Sequence, residues 1–338
     1  MDLATTPAAT LAEMVSGTAQ ARDASDLVEE LLEELEVAAH ALFTRFPWDQ
    51  GSPWHLSKTN LSALGGCRRR AALAPRAGSW NRALVVGTIA DAALKSHLFS
   101  DAGDGHRVEA ALARLDAAGS GGAAGWLGSV SVERRQRVCD EAEAAAATLA
   151  AFWPHPMSER LWLRVDEPLS VPLLDGSLVL AGRPDVTLSG PPTDAPCTLV
   201  EVKARNLHAQ YRNEMEFYAL LATLRDRQLP AHLVVLCGSG EHSVDPVQPD
   251  SVRAAARRVV GALRTAEALS VDQATGRVLA TMPSGLCRWC DGRFWCDGGR
   301  VWLEENGLAL CLDSEVDPDD LQCTDDAGYS DNGADEPL

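Results

Sequence analysis

Two apolar runs rich in strand-forming residues, Leu161 to Leu174 and Leu178 to Leu188, flank the dipeptide Asp175-Gly176. Asp-Gly between such runs is a strong hairpin-turn signal, because both residues tolerate the backbone conformations that a tight turn needs. The hairpin constrains everything after it. Thr198 to Lys203 reads as a short strand, Ala209 to Arg227 as a helix, His232 to Cys237 as a short apolar strand and Val252 to Leu269 as a helix. Helices are also expected over Asp26 to Phe43, Ala83 to Phe99 and Ser131 to Phe152 from their apolar spacing. Ala117 to Ser129, rich in Gly, Ala and Ser, is expected to be a loop. This order of elements suits an α/β fold: a mixed central sheet flanked by helices.

Charge is distributed unevenly over the 338 residues. The formal net charge is -18, but residues 1–50 hold ten acids and two bases, and residues 301–338 hold twelve acids and no base. The middle of the chain is left near neutral and can meet a phosphate backbone. Three regions are therefore expected: an acidic helical segment over 1–50, a core domain over 51–303, and an acidic, disordered tail over 304–338. The acidic ends hint at a protein partner. No stretch of about 18 apolar residues is present, so no membrane span is expected. The start does not read as a signal peptide, and the expected compartment is the cytoplasm. The absence of a Gly-rich phosphate loop ending in Lys-Ser or Lys-Thr argues against a helicase motor.

The chemistry concentrates in Gly182-Arg183-Pro184-Asp185 and, after a gap that allows a loop, Glu201-Val202-Lys203. Glu201 and Lys203 are two apart on one strand and share a face. Two carboxylates suit a hard cation such as Mg²⁺ or Mn²⁺, which lowers the pKa of a bound water and stabilises charge on a phosphorane. A lysine alongside can orient that water or help deprotonate it. The chain has three lysines, Lys58, Lys95 and Lys203, among thirty basic residues. At Lys203 a compact ammonium stands where arginine is the local habit, and the two are not interchangeable.

Nine cysteines in a chain with no secretion signal point to a metal or redox site more than to disulfides. Cys287, Cys290 and Cys296 form C-x2-C-x5-C, and Cys67 lies far upstream. Four thiolates suit zinc or an iron–sulfur cluster, and spacing alone does not choose between them. Arg68, Arg69 and Arg70 follow Cys67, and Arg205 and Arg212 follow the Glu-x-Lys strand. Their forked guanidinium groups suit phosphate, so all five are candidate contacts to a phosphate backbone.

Taken together, the Asp185 and Glu201-x-Lys203 pattern resembles the PD-(D/E)XK nuclease superfamily, in particular its RecB-like exonuclease branch. The resemblance covers roughly residues 55–300. It implies a restriction-endonuclease-like core and Mg²⁺- or Mn²⁺-dependent hydrolysis of DNA, preferably single strands or DNA ends. In that branch a Gln-x-x-x-Tyr helix follows the Lys strand; here Glu214 stands in the Gln position and Tyr218 matches. An earlier helix carries Gly-x-x-x-His; here Gly87 is followed by Asp91. The implied metal ligands are Asp91, Asp185, Glu201 and the Val202 carbonyl. Lys203 positions the water, and Glu214 and Tyr218 support the substrate or metal. The cysteine layout is similar to that of iron–sulfur nucleases of the AddB type and of CRISPR-associated exonucleases. That similarity implies a [4Fe–4S] cluster on Cys67, Cys287, Cys290 and Cys296, stapling segments before and after the core. The settings implied are DNA repair, CRISPR adaptation or phage defence. The alternatives are a catalytically weak scaffold subunit, given Asp91 and Glu214, and a zinc-stapled protein that is not a nuclease.

Overall fold

The computed structural model of the chain describes residues 11, 22–45, 52–72, 80–99, 107–117, 121–153, 162–189, 196–277, 279, 281–284, 287, 290, 292 and 295–307. Of the disordered tail expected over 304–338, Glu304 and Glu305 instead close the last described helix, and the part beyond residue 307, with Cys311 and Cys323, lies outside the described residues. So do residues 1–10.

The described elements are, in order, α1 (Ser25–Arg45), β1 (Trp54–Leu56), α2 (Lys58–Leu64), α3 (Arg68–Ala72), α4 (Arg82–Phe99), α5 (Arg107–Ala117), α6 (Gly121–Ser129), α7 (Val132–Ala151), β2 (Trp162–Val165), β3 (Leu169–Leu173), β4 (Leu178–Gly182), β5 (Val186–Ser189), β6 (Thr198–Lys203), α8 (Gln210–Asp226), β7 (His232–Cys237), β8 (His242–Pro246), α9 (Pro249–Thr275) and α10 (Asp297–Glu305). They form an α/β fold with mixed sheets, five strands in the order β2-β5-β6-β7-β8 and three in the order β1-β4-β3. In the larger sheet β6 and β7 are parallel and their neighbours antiparallel, with Glu201 beside Val235 and Lys203 beside Cys237.

The hairpin forms as the Asp-Gly signal requires. β3 and β4 pair antiparallel from Leu169↔Gly182 to Leu173↔Leu178. Leu174, Asp175 and Gly176 all take positive φ. Each long run is, however, cut in two. At Asp166–Pro168 and again at Arg183–Asp185 the chain leaves one sheet and joins the other, so the single central sheet expected from the element order is two sheets. Pro184 has no N–H for a ladder. Asp166, at φ 53°, turns the chain at the first crossing and donates its N–H to the Asp185 carbonyl, in the second, at 3.1 Å. Asp185 thus sits at the junction of the sheets.

The larger sheet is covered on both faces. Leu199 of β6 and Leu233 and Val235 of β7 join the core around α1, α8 and α9. Val200, Val202, Val234 and Leu236 point the other way, with Leu94 of α4 and Leu149 of α7. Strands buried on both faces read as continuous apolar runs, which is why β6 and β7 are legible as strands but not as to which face carries what. Helix α8 is buried at every residue from Met215 to Leu224, as a helix enclosed on all sides must be.

The expectation of a loop over 117–129 is corrected. α5 runs to Ala117 and α6 covers Gly121–Ser129. Ala123 and Leu127, one turn apart, are buried in a cluster with Val85, Ile89 and Val138. That burial offsets the helix-weakening glycines. Among the described residues no helix is long and apolar enough to cross a membrane.

Strand β4 meets α8 at a glycine. A Cβ at Gly182 would lie 2.7 Å from the Tyr218 ring and 2.9 Å from Leu221. Gly182→Val is expected to destabilise the protein by about 1–3 kcal/mol through overpacking. Chemical denaturation of the variant against the parent chain measures this.

Candidate active site

Three separate elements bring carboxylates together. Strand β6 supplies Glu201, which is 3% exposed. The sheet junction supplies Asp185, whose Oδ2 accepts the Val202 N–H at 2.7 Å. Helix α4 supplies Asp91. Glu214 of α8 and Asp166 of the β2–β3 turn stand at the edges of the group. All of the sequence-predicted catalytic residues fall in this one region. The shared face expected of Glu201 and Lys203 is realised: Lys203 Nζ lies 2.8 Å from Glu201 Oε1 and 3.2 Å from Glu214 Oε2. Tyr218 donates its hydroxyl to the Arg183 carbonyl at 3.0 Å and so ties α8 to the loop that carries Asp185.

Two cations in this group were not singled out from sequence. Lys58, at the start of α2, lies 2.6 Å from Glu201 Oε1 and 3.4 Å from Glu214 Oε2. Lys95, one turn beyond Asp91 on α4, lies 2.7 Å from Asp91, 2.8 Å from Asp166 and 3.7 Å from Asp185. Every lysine of the chain is therefore at this site. A compositional signal points to them: three lysines against twenty-seven arginines, with only Lys203 given a role. Asp166 carries no such signal, since its position depends on how the chain passes between the sheets.

The five candidate arginines do not join the carboxylates. Arg205 faces α7, 3.5 Å from Glu141, and Arg212 pairs with Glu216 at 3.4 Å on its own helix. Arg68 approaches Asp272 at 3.9 Å, and Arg69 donates to the Trp295 carbonyl at 3.4 Å. Arg70 is half-buried on α3.

The Arg69 contact links the Cys67 segment to the chain just before Cys296. Cys67 Sγ accepts the Met282 N–H at 3.4 Å, and Cys287 Sγ accepts the Ser284 N–H at 3.4 Å. Cys296 is buried at the N-terminus of α10. A Cβ on Gly299 would meet the Cys287 sulfur at 3.4 Å and the Cys296 sulfur at 3.5 Å, so both sulfurs lie against the first turn of α10. Cys290 follows one turn after Cys287, its N–H on the Cys287 carbonyl at 3.2 Å. None of the four is in a disulfide. Sulfurs from both ends of the core are thus brought to one region, two of them accepting backbone N–H groups, but the four are not gathered in ligating arrangement. Cys197 and Cys237, by contrast, stand at apolar strands, and burial pushes each thiol up to about 11.

The carboxylates fit a hard cation in a specific way. Asp91 Oδ1 and Glu201 Oε2 are buried and accept no hydrogen bond, while their other oxygens are held by lysines. A buried carboxylate oxygen with no donor is costly unless a cation meets it. Among the described residues no group of three His, Cys, Asp or Glu side chains stands in ligating arrangement. The ammonium groups account for this at the carboxylates, since Lys95 is drawn between Asp91, Asp166 and Asp185. Burial, reinforced by the charges of Glu201 and Asp91, pushes Asp185 up to about 7. Burial also raises Asp91, against the pull of Lys95. Burial alone would lower Lys203, but the Glu201 and Glu214 charges and the Glu201 hydrogen bond together outweigh it, and the ammonium is held above its usual range. For Asp185 the folded protein binds the proton more tightly than the unfolded chain does. Its contribution therefore makes the metal-free protein less stable as pH rises from about 3.8 to about 7. Thermal melts in chelator across that window should show Asp185→Asn gaining on the parent chain as pH rises; a constant difference would contradict the assignment.

The family comparison agrees with this geometry. No curated protein matches the chain. A solved structure described as "Crystal structure of SSO0001" is similar at 10% identity and a TM-score of 0.30, over 81% of this chain and 95% of that one, a likeness too low to bear on the fold. The family described as the PD-(D/E)XK nuclease superfamily matches residues 55–297, which include Asp91, Asp185, Glu201 and Lys203. Since that match covers well over half of the 338 residues, the chain belongs to the PD-(D/E)XK nuclease superfamily.

Proposed function

We propose that this chain is a Mg²⁺- or Mn²⁺-dependent deoxyribonuclease, an exonuclease acting on single-stranded DNA or DNA ends. The family supports a phosphodiester hydrolase. The observation that carries the finer reading is the pair of buried, unpartnered oxygens, Asp91 Oδ1 and Glu201 Oε2, beside Lys203. Asp91, Asp185, Glu201 and the Val202 carbonyl would hold the cation. When bound, it would acidify a water and offset charge on the phosphorane. Lys203 remains an ammonium at neutral pH, so it orients the attacking water and screens phosphate charge; it does not remove the proton. Glu214 holds Lys203 and Lys58 in place from α8, and Tyr218 fixes the Asp185 loop. Arg68, Arg69, Arg70, Arg205 and Arg212 are proposed to meet the DNA backbone outside the reacting centre.

The cluster reading extends this. Cys67, Cys287, Cys290 and Cys296 would hold a [4Fe–4S] group whose role is structural, tying α3 to the segment before α10. Repair, CRISPR adaptation and phage defence are the settings in which such an enzyme would serve, with a protein partner at the acidic ends. A specific observation favours the second reading, a catalytically weak scaffold: two lysines already occupy Glu201 Oε1.

Lys203→Ala should lower metal-dependent cleavage of 5′- or 3′-labelled DNA by about 100-fold or more. It should leave the divalent-cation-induced rise in melting temperature in place. No cleavage by the parent chain carrying its cluster would favour the scaffold. Separately, Cys67→Ser, purified without air, should lose iron and acid-labile sulfide and melt lower than the parent. One zinc per chain and no iron in the parent would replace the cluster with a zinc staple.

A further inference from the structure

Next to the carboxylate cluster lies a cavity of about 730 Å³. That is within the range of roughly 300–1,000 Å³ typical of small-ligand sites. Three helix faces build it. α8 contributes Gln210, Asn213, Glu214 and Phe217, at the spacing of a single helical stripe, and α9 contributes Arg258, Gly261, Ala262 and Thr265 at the same spacing. α2 closes it with Lys58, Leu61 and Leu64. Lys58 and Glu214 belong to the cavity and to the carboxylate cluster at once. The far end is Arg68 and Met282, against Cys67.

The lining is chemically mixed in a way that selects a ligand. Its floor is apolar, from Leu61, Leu64 and Phe217. Its charged groups are three cations, Lys58, Arg68 and Arg258, against the single carboxylate of Glu214. Arg258 gives one nitrogen to Glu216 at 2.6 Å, but its Nε is buried and has no partner. The space is also kept open. Gly261 lies in the interior of a 27-residue helix, where glycine costs about 1 kcal/mol relative to alanine. A Cβ there would meet nothing within 4 Å.

Resting on the nuclease reading, we infer that this cavity receives one unpaired nucleotide of the strand being cut. Its base lies on the apolar floor within reach of the Gln210 and Asn213 amides, and its phosphate lies toward Arg68 and Arg258. The neighbouring phosphate then reaches the carboxylate cluster past Lys58. A cavity that both holds a nucleotide and opens on the cluster selects a single strand, because a paired base could not enter it.

The test uses the full chain with its cluster, in chelator, and short single-stranded DNA oligonucleotides each with one abasic position. Fluorescence anisotropy reads the affinity. The parent chain is expected to lose about 10-fold at one abasic position and little at the others. Gly261→Leu, which fills the cavity without touching the carboxylates, should lose a similar factor on intact DNA and nothing more on that abasic strand. Its melting temperature should not fall. Asn213→Ala, which leaves the cavity open, should change the preference among the four bases at that same position. Unchanged binding by Gly261→Leu, or losses spread evenly along the strand, would overturn the inference. So would binding of a free mononucleotide without any position-specific loss, which would make the cavity a product or effector site. If the parent chain cleaves DNA with Mn²⁺ while Gly261→Leu binds normally, the cavity assignment alone fails. If the parent neither binds nor cleaves any strand, the nuclease reading fails with it.

Discussion

The site depends on three ammonium groups holding five carboxylates in a largely buried place. Glu201 is almost fully enclosed by the core around β6 and α8, and Asp185 is fixed by a backbone amide at the junction of the two sheets. Carboxylates so placed repel one another, and burial alone drives them toward the protonated form. Lys58 and Lys203 grip Glu201 from α2 and β6, and Lys95 spans Asp91, Asp166 and Asp185. Removing one member of such a group leaves an uncompensated buried charge, which typically costs about 3–5 kcal/mol. The stability of the fold and the chemistry of the site are therefore set by the same ion pairs. The atoms left unpaired, Asp91 Oδ1 and Glu201 Oε2, show where that balance is incomplete.

Lysine suits this role better than the arginine used elsewhere in the chain. A lysine head is a compact charge on a flexible stem, able to give three hydrogen bonds in different directions. Lys95 uses this to reach carboxylates on three different segments, which a planar guanidinium would match less well. Arginine serves where two nitrogens of a flat fork meet one carboxylate, as in Arg253 on Glu30 and Arg82 on Glu141.

Much of the site is legible in the sequence because its signals are local. Asp175-Gly176 locates the hairpin, the two-residue spacing of Glu201 and Lys203 places both on one face, and the four-residue spacing of Glu214 and Tyr218 places both on one side of α8. What sequence does not show is long-range. Lys58 lies 143 positions from Glu201, and Asp166 reaches the group only because the chain crosses between sheets at both Asp166–Pro168 and Arg183–Asp185. The segment 121–129 misleads for a different reason. Its glycines speak for a loop, but the pair Ala123 and Leu127 has apolar surface to bury against α4 and α7, and tertiary burial decides.

The cysteines and the lysines meet through one short stretch of chain. Ser57 caps α2, Lys58 opens it, and only Gly65 and Gly66 separate its end from Cys67. Cys67 is held by Met282, and Arg69 by the Trp295 carbonyl, so the position of α2 depends on the segment that carries Cys287 and Cys296. Lys58 in turn is one of the two cations on Glu201. Lys58 also lies 3.4 Å from Glu214, so α2 joins the cysteine segment to two carboxylates of the site. The thiol segment and the carboxylates are thus connected through one seven-residue helix and the charge at its first turn.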